Sequence, residues 1–407
     1  MSRHYWPTVS GMSAYAENLA RQLVRSGHEV TLVAQHPGEP DGPPDATSLP
    51  AGVELVAVEA AGERRVRSGE PADFEADVDA IAGTVGEQHS CRPFDVLHAQ
   101  FAYPTGLAAL RAAHRVRVPA VVTVQGVDGR DLGSCCRTHR QLLRAVFDHS
   151  SALTIGSPSF AAEVVERHGV DPARFSLVPG ATDPDLFAPR ELADLARLGD
   201  PVTLLFHGTV QVRKGVLDLL DAVALLRHDG VRVPLLVSGP GPDTELVAER
   251  VRELDLGSDV ELLGPVGYGE APEVYRRGDL FVSPSYAEGF PITILEAMAT
   301  GLPVVSTDVV GVRDCIRPED NGLLVPRDDP FALAAAIRRL ITDDVLRRRL
   351  AERAHSDVRL RWSWPVVAKQ FIALYGTVQE SHGRAGVPEI PDPVVDPGCP
   401  FRRTGLP

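Results

Sequence analysis

The sequence predicts an α/β protein built from two successive βα domains. Three observations carry that prediction. Short apolar runs, such as 120–124 (AVVTV), 202–207 (VTLLFH) and 280–284 (LFVSP), alternate with segments whose apolar residues recur at helical spacing. The alternation continues over most of 407 residues, a length that suits two domains. A polar, mixed-charge stretch at 189–201 parts the two βα patterns and reads as the linker.

The bulk composition narrows the function classes. With 44% hydrophobic and 24% charged residues the chain is an ordinary globular protein. Its 41 Lys+Arg against 55 Asp+Glu leave a net charge of −14, which disfavours nonspecific binding to nucleic acid or anionic membrane. Basic clusters at 64–67 and 347–349 read as solvated faces. Five cysteines, at 91, 135, 136, 315 and 399, have neither disulfide nor metal spacing, so reduced thiols are expected. With no signal peptide and no apolar run of spanning length, the expectation is a soluble, cytoplasmic protein.

In chain order, 14–26 is a helix closed by Gly27, and 29–35 (EVTLVAQ) is a strand. The Pro-, Gly- and Asp-rich 37–50 is an exposed loop. Strands follow at 53–58, 94–100, 120–124, 152–156 and 175–179, with helices at 74–85, 107–114, 142–149 and 159–168. In the second half strands are expected at 202–207, 234–238, 260–263, 280–284 and 323–325. Helices are expected from 216 to 226, then at 243–254, 272–277, 331–340, 345–354 and 362–375. The glycines of Gly239-Pro240-Gly241-Pro242 read as a tight turn, and the Pro- and Gly-rich tail from 381 reads as disordered or peripheral.

The chain is organised around 283–305, SPSYAEGFPITILEAMATGLPVV. Pro291 suits the first helical position, and Gly301 and Pro303 mark the stop. Ile292, Ile294, Leu295, Met298 and Ala299 make the helix largely buried, so Glu296 sits among apolar neighbours, where an ionised carboxylate needs a partner. The free N–H groups and partial charge of this helix's N-terminus suit phosphate. Five helical residues at about 1.5 Å each put Glu296 roughly 8 Å behind that end.

Glu288 and Glu296, set in EGF-x5-EAMA-x-G-x-PVV, make this stretch resemble the retaining glycosyltransferases of family 4 (glycosyl transferases group 1). The resemblance runs from about residue 7 to 375. It implies the GT-B fold, two facing Rossmann-like domains with a cleft between them and a C-terminal helix crossing back. The implied bounds are 1–190 for the acceptor-side domain, 191–361 for the nucleotide-sugar domain, 362–380 for the crossover helix and 381–407 for the tail. In such enzymes the first Glu meets donor-sugar hydroxyls and the second holds the ribose. Glu288, Gly289, Phe290, Pro291 and Glu296 are therefore expected donor-binding residues.

Other motifs follow the same family with departures. Gly27-His28-Glu29-Val30 matches its step into the second strand, and Pro7 and Gly11 match its first loop, whose glycine lets backbone approach the donor phosphates. The apolar first strand is not found in residues 2–6, and it is expected to be encoded upstream of Met1. His98 and Gln100 end a strand on the acceptor side. Gln125 replaces a family His beside the donor sugar; its carboxamide can hydrogen-bond a hydroxyl but cannot exchange a proton near neutral pH. Asp128 is either structural or acceptor-facing. In the family loop Gly-Arg-x4-Lys-Gly, Gly208, Lys214 and Gly215 match and Thr209 replaces the Arg, with Arg213 in support. Val266 and Gly267 are placed near the nucleobase.

What the resemblance implies is transfer of a sugar, with retention, from a nucleoside-diphosphate sugar to an acceptor hydroxyl on a small metabolite, natural product or glycan. UDP is the default nucleotide. Glu288, Lys214 and Gln125 are the expected catalytic residues, and no metal or other cofactor is expected, since cations and a helix dipole can balance the diphosphate. A disaccharide phosphorylase or synthase of the same fold is one alternative. A noncatalytic nucleotide-binding paralogue is the other, favoured by Gln125 and Thr209 and opposed by the sugar-facing Glu288.

Overall fold

In a computed structural model, residues 1–2, 11–36, 50–59, 74–130, 136–191 and 195–382 are described. They form two compact units, Met1–Pro179 with the chain from Ala368, and Gly180–Val367.

The first unit follows the expected βα order. It comprises α1 (Gly11–Arg25), β1 (Val30–His36), β2 (Val53–Glu59), α2 (Phe74–Cys91), β3 (Leu97–Gln100), α3 (Leu107–Val116) and β4 (Ala120–Val124). Then come α4 (Arg137–His149), β5 (Ala152–Ile155), α5 (Pro158–His168) and β6 (Phe175–Leu177). Strands β3, β4, β5 and β6 pair in parallel in that order, and β1 pairs with β2, also in parallel. Every residue of β4 is buried, the pattern of a central strand covered on both faces. The Pro7 loop and the 64–67 cluster lie outside the described residues.

Between β1 and β3 stands a two-residue ladder. Ser2 N donates to Val33 O at 2.9 Å and Ser2 O accepts from Gln35 N at 3.1 Å. On the other edge the Met1 amino group donates to His98 O at 2.7 Å, and Met1 O accepts from Gln100 N at 3.0 Å. Met1 and Ser2 thus occupy the carboxyl end of the position where the sequence reading expected a full strand.

The second unit holds one parallel sheet of six strands in the order β12-β11-β10-β7-β8-β9. These are β7 (Leu204–His207), β8 (Leu235–Ser238), β9 (Val260–Gly264), β10 (Leu280–Ser283), β11 (Val304–Thr307) and β12 (Leu323–Val325). The helices between them are α6 (Val216–His228), α7 (Thr244–Glu253), α8 (Ala271–Tyr275) and α9 (Ile292–Thr300). Helices α10 (Pro330–Thr342) and α11 (Asp344–Arg361) follow, and α12 (Trp364–His382) passes into the first unit at Ala368. Alternation sorts the core: Leu204 and Phe206 face one apolar cluster with α6, whereas Leu205 and Phe281 face another with α9. Strand order reverses between β7 and β10, and the loops leaving their carboxyl ends stand at the usual ligand position in such sheets.

Three expectations need correction. The chain joins the second unit at Gly180, not at 191, because Thr182 N donates to Trp362 O at 2.9 Å and the Phe290 ring lies against Gly180. The supposed linker is tied to that unit as well: Ala196 N donates to Gly301 O at 3.1 Å and Arg347 Nε to Ala196 O at 2.9 Å. Arg347 is accordingly buried, its charge spread over backbone carbonyls and Asp344, and the 347–349 cluster is not wholly solvated. The terminal helix runs to His382, and its Phe371 ring meets Tyr15 edge-on at 6.5 Å within the first unit. The tail beyond it lies outside the described residues, as do Cys135 and Cys399. Cys91, Cys136 and Cys315 are free.

Candidate active site

Several of the residues expected to bind the donor stand where the loops after β7 and β10 meet. The first loop leaves β7 through Gly208 and Thr209, makes a 3-10 turn at Val212–Lys214, and enters α6 through Gly215 at φ 70°. A Cβ on Gly215 would lie 1.9 Å from Pro284 O, so only glycine lets the two loops touch. Tyr286 N then donates to Arg213 O at 2.9 Å, stitching the second loop to the first. As a result Lys214 Nζ meets Glu288 Oε1 at 2.6 Å, with both side chains mostly buried. Burial pushes the Glu288 carboxyl up, but the charge and hydrogen bond of Lys214 outweigh it, helped by Ser285 and Arg213, and hold it below its usual range. Glu288 N donates to Val310 O at 3.2 Å, and Gly311, at φ 82°, packs its Cα against the Glu288 carbonyl.

The other expected residues of this unit lie on the same two loops, on the loop after β9 and on α9. Thr209 and Arg213 are exposed, and Arg213 Nε donates to Gln211 Oε1 at 2.6 Å. Gly239 and Gly241 are more than a tight turn. A Cβ on Gly239 would meet Gly208 O at 2.0 Å and one on Gly241 would meet Val210 O at 1.9 Å, so they seat the first loop backbone to backbone. Gly289 and Phe290 follow Glu288, and the Phe290 ring centroid lies 6.2 Å from that of Trp362. Pro291 is the cap of α9 rather than its first helical residue. The Val266 side chain packs against the core, and Gly267 N donates to Glu270 Oε2 at 3.4 Å.

Glu296 is buried, as the apolar register of α9 requires, and its partner is Tyr275, whose hydroxyl donates to Oε2 at 2.7 Å. Burial drives its pKa up to about 7, and the Tyr275 hydrogen bond only partly opposes this. The Tyr275 ring packs against His207, which bonds Ser238 Oγ at 3.0 Å and is pushed by burial down to about 4. Sequence reasoning passed over Tyr275. It placed a helix there but had no register linking that helix to α9. It also passed over Tyr286, whose hydroxyl donates from the second loop to Asp218 Oδ1 in the first turn of α6 at 3.2 Å.

The first unit brings its expected residues together in a separate network. Gln125 follows β4, and its Nε2 donates to Gln100 Oε1. Gln100 Nε2 lies 3.5 Å from His98 Nε2, and His98 has both ring nitrogens engaged, with Tyr375 Oη at 2.6 Å and Thr123 Oγ1 at 2.7 Å. Burial and the nearby Met1 ammonium hold His98 well below the usual imidazole range, near 3, so it is neutral. Thr123 continues the chain to Thr154 at 2.6 Å. Of the two readings of Asp128, the structure gives the structural one. It is fully buried, and its carboxylate accepts from the backbone N–H of Ala102 (2.8 Å), Gln125 (3.1 Å), Gly126 (2.9 Å) and Gly129 (3.1 Å). It fixes the turn carrying Gln125. Gly11 is the first residue of α1. Among the described residues, no cluster of three His, Cys, Asp or Glu side chains is placed to hold a metal ion.

Comparison with known proteins bears on this arrangement. Residues 10–181 match the family profile described as glycosyl transferase 4-like domain, and residues 201–343 match glycosyl transferases group 1. The chain belongs to the family 4 glycosyltransferases. A relative from Stackebrandtia nassauensis, described as D-inositol 3-phosphate glycosyltransferase, is 30% identical over 90% of this glycosyltransferase and 87% of its own length. A Mycobacterium tuberculosis glycogen synthase is 25% identical over 99% of both chains. Among solved structures, sucrose-phosphate synthase from Thermosynechococcus elongatus superposes with a TM-score of 0.76 at 24% identity, covering 93% of this chain and 97% of its own. An Anabaena protein solved in complex with UDP and glucose gives 0.71 at 16% identity, covering 90% and 96%. These likenesses give the glycosyltransferase the GT-B fold, with two Rossmann-like units. It is an enzyme that transfers glycosyl groups, and the noncatalytic reading falls away. None of its described helices is long and apolar enough to cross a membrane.

Proposed function

We propose that this glycosyltransferase takes its sugar from a nucleoside-diphosphate donor, with UDP as nucleotide, and delivers it with retention to a hydroxyl of a small metabolite, natural product or glycan in the cytoplasm. The observation that carries the proposal is the Lys214–Glu288 pair, 2.6 Å apart at the point where the sheet reverses its strand order. A fixed ammonium there suits a diphosphate that gains charge as it leaves, and the N–H groups opening α9 add to it. Glu288, held ionised by Lys214, is an acceptor for donor-sugar hydroxyls, and Glu296, further along α9, for the ribose. The reaction needs no metal, because Lys214, Arg213 and the helix end supply the compensating charge. Gln125 serves as a hydrogen-bond partner for a sugar hydroxyl and carries no proton. Solved neighbours with bound UDP support the nucleotide, and the inositol phosphate glycosyltransferase and glycogen synthase relatives support a polyol or glycan acceptor.

The test is calorimetric binding of UDP, GDP, ADP and dTDP to the parent and to Lys214→Ala, with and without EDTA. Saturable UDP binding that survives EDTA and is lost in the variant is expected. Binding of none of the four sinks the donor reading, and loss with EDTA sinks the metal-free one.

A further inference from the structure

The first turn of α6 carries an acid where its register asks for an apolar residue. Asp218 is the one charged side chain among the buried residues of that helix; the others, Leu219, Leu220 and Val223 among them, are apolar. An acid in a first helical turn complements the helix dipole from an exposed position just as well. Burial instead pushes the Asp218 carboxyl up, Tyr286 opposes the rise, and Asp328 and Asp221 add to it. Among the described residues its Oδ2 finds no hydrogen-bond partner. What Asp218 gains in return is Tyr286, whose hydroxyl reaches Oδ1 at 3.2 Å. Burial and Asp218 push that phenol up to about 12, so it keeps its proton and donates.

We propose that Tyr286 is a positioning residue for donor binding: its hydroxyl, seated on Asp218, keeps the loop that carries Glu288 in register with Lys214. This rests on the donor reading of the Lys214–Glu288 pair.

The same reading makes such a tie necessary. Without donor, Lys214 and Glu288 hold each other at 2.6 Å. When the donor binds, the ammonium turns to the diphosphate and the carboxylate to sugar hydroxyls, so their mutual bond no longer fixes the two loops. The bond from Tyr286 N to Arg213 O, 2.9 Å long, remains, but one hydrogen bond is a pivot. The Tyr286 side chain adds a second attachment further along the first chain, inside α6, and a loop held at two points cannot swing about either. On its other side the second loop is tied to β11, where Thr307 Oγ1 donates to Ser285 O. Tyr286 therefore stands between a fixed strand and the start of α6, just ahead of Glu288, and neither it nor Asp218 has to release its partner when the donor arrives.

The experiment measures binding of UDP and of UMP to the full chain by calorimetry at pH 8. UMP lacks the second phosphate and reads the nucleoside end of the site with less of the Lys214 contribution. Tyr286→Phe keeps the ring and the backbone bond. It should weaken UDP by about fivefold or more, the worth of one hydrogen bond, while UMP stays within about twofold of the parent. Asp218→Ala should match it, and Asp218→Asn, which restores an acceptor for the phenol, should recover most of the UDP affinity. Equal weakening of UDP and UMP in Tyr286→Phe would make the residue structural alone and overturn the proposal. So would an Asp218→Asn variant as weak as Asp218→Ala, which would assign the effect to the charge of Asp218. So would Tyr286→Phe binding UDP like the parent while Lys214→Ala does not bind it. UDP binding retained by Lys214→Ala would sink the donor reading itself, and this proposal with it.

Discussion

Tyr275 Oη donates to Glu296 Oε2 at 2.7 Å, and the carboxylate that accepts this bond sits on the buried, apolar helix α9. One hydrogen bond does not offset the loss of water, so Glu296 sits near pKa 7 against an ordinary 4.5. The folded state then binds a proton more readily than the unfolded chain between those values. Stability should be fullest below about pH 4.5 and fall as pH rises through 7, by about 3 kcal/mol in all at 1.36 kcal/mol per pKa unit. Glu296→Gln keeps an acceptor for Tyr275 and loses this slope. It should therefore unfold at higher urea than the parent at pH 8 and at a similar concentration at pH 4.5. Nucleotide affinity should move oppositely: in the parent it strengthens from pH 6 to 8 as the carboxylate forms, and in the variant it is weak and flat.

Removing the cation from the Lys214–Glu288 pair should cost more than removing both members. Lys214→Ala leaves a mostly buried carboxylate without its main partner, a loss of about 3 kcal/mol, and Glu288 should then take up a proton at higher pH. The double variant Lys214→Ala/Glu288→Ala removes that penalty. Urea unfolding of the four-member cycle checks this, and a double variant less stable than Lys214→Ala alone would contradict it.

These two carboxylates show how the site could be read before it was seen. Glu288 and Lys214 stood in local strings whose loop contexts were legible, so their pairing followed once strand order was known, and the burial of Glu296 followed from the apolar register of its helix. What could not be read were partners from other elements. Tyr275 reaches Glu296 across 21 residues and Tyr375 reaches His98 across 277, and no periodicity encodes either distance. Asp128 was ambiguous because its role depends on Ala102, 26 residues earlier, offering an N–H to its carboxylate. The fold was legible because each strand was a short apolar run bounded by Gly or Pro. The domain boundary was misplaced because the polar surface of 189–201 hides ties made by backbone atoms, which composition does not register.

Gly311 should be the glycine on which the position of Glu288 depends. Its φ of 82° and a would-be Cβ 2.4 Å from Glu288 O both forbid a side chain. Gly230, at φ 80° with open space around it, carries the backbone strain without the clash. Gly230→Ala should cost about 1 kcal/mol and leave UDP affinity unchanged. Gly311→Ala should cost more and weaken UDP binding at least tenfold, as measured by calorimetry.

Asp128 predicts an asymmetry between two replacements. Its Oδ1 accepts from Gln125, Gly126 and Gly129, and Oδ2 accepts from Ala102. Asparagine can keep the first three and turns an NH2 toward the Ala102 N–H, a loss of about 1–3 kcal/mol. Alanine removes the side-chain acceptor of all four N–H groups, of which Gly129 N keeps Gly126 O at 2.9 Å, and should destabilise the first unit by more than that, shown by a lower urea midpoint than Asp128→Asn.

Gln125 offers the clearest separation of hydrogen bonding from proton transfer. Its carboxamide is fixed by Gln100, and its backbone N–H by Asp128. A hydrogen bond to a sugar hydroxyl is worth roughly 1–3 kcal/mol, so Gln125→Ala should lower kcat/KM by about ten- to a hundredfold. Gln125→His restores a donor and acceptor of similar reach but adds a group titrating near pH 6.5. If the position acts only by hydrogen bonding, the His variant should recover most of the activity above pH 7. It should lose activity below pH 6 as the imidazolium forms and gives up its acceptor, a limb beyond the one near 7 that the parent owes to Glu296. A further parent limb near 6.5 that persists in Glu296→Gln would assign proton transfer elsewhere in the site. Since both His98 and His207 are held well below 6.5 by burial, the limb could not belong to either of those rings.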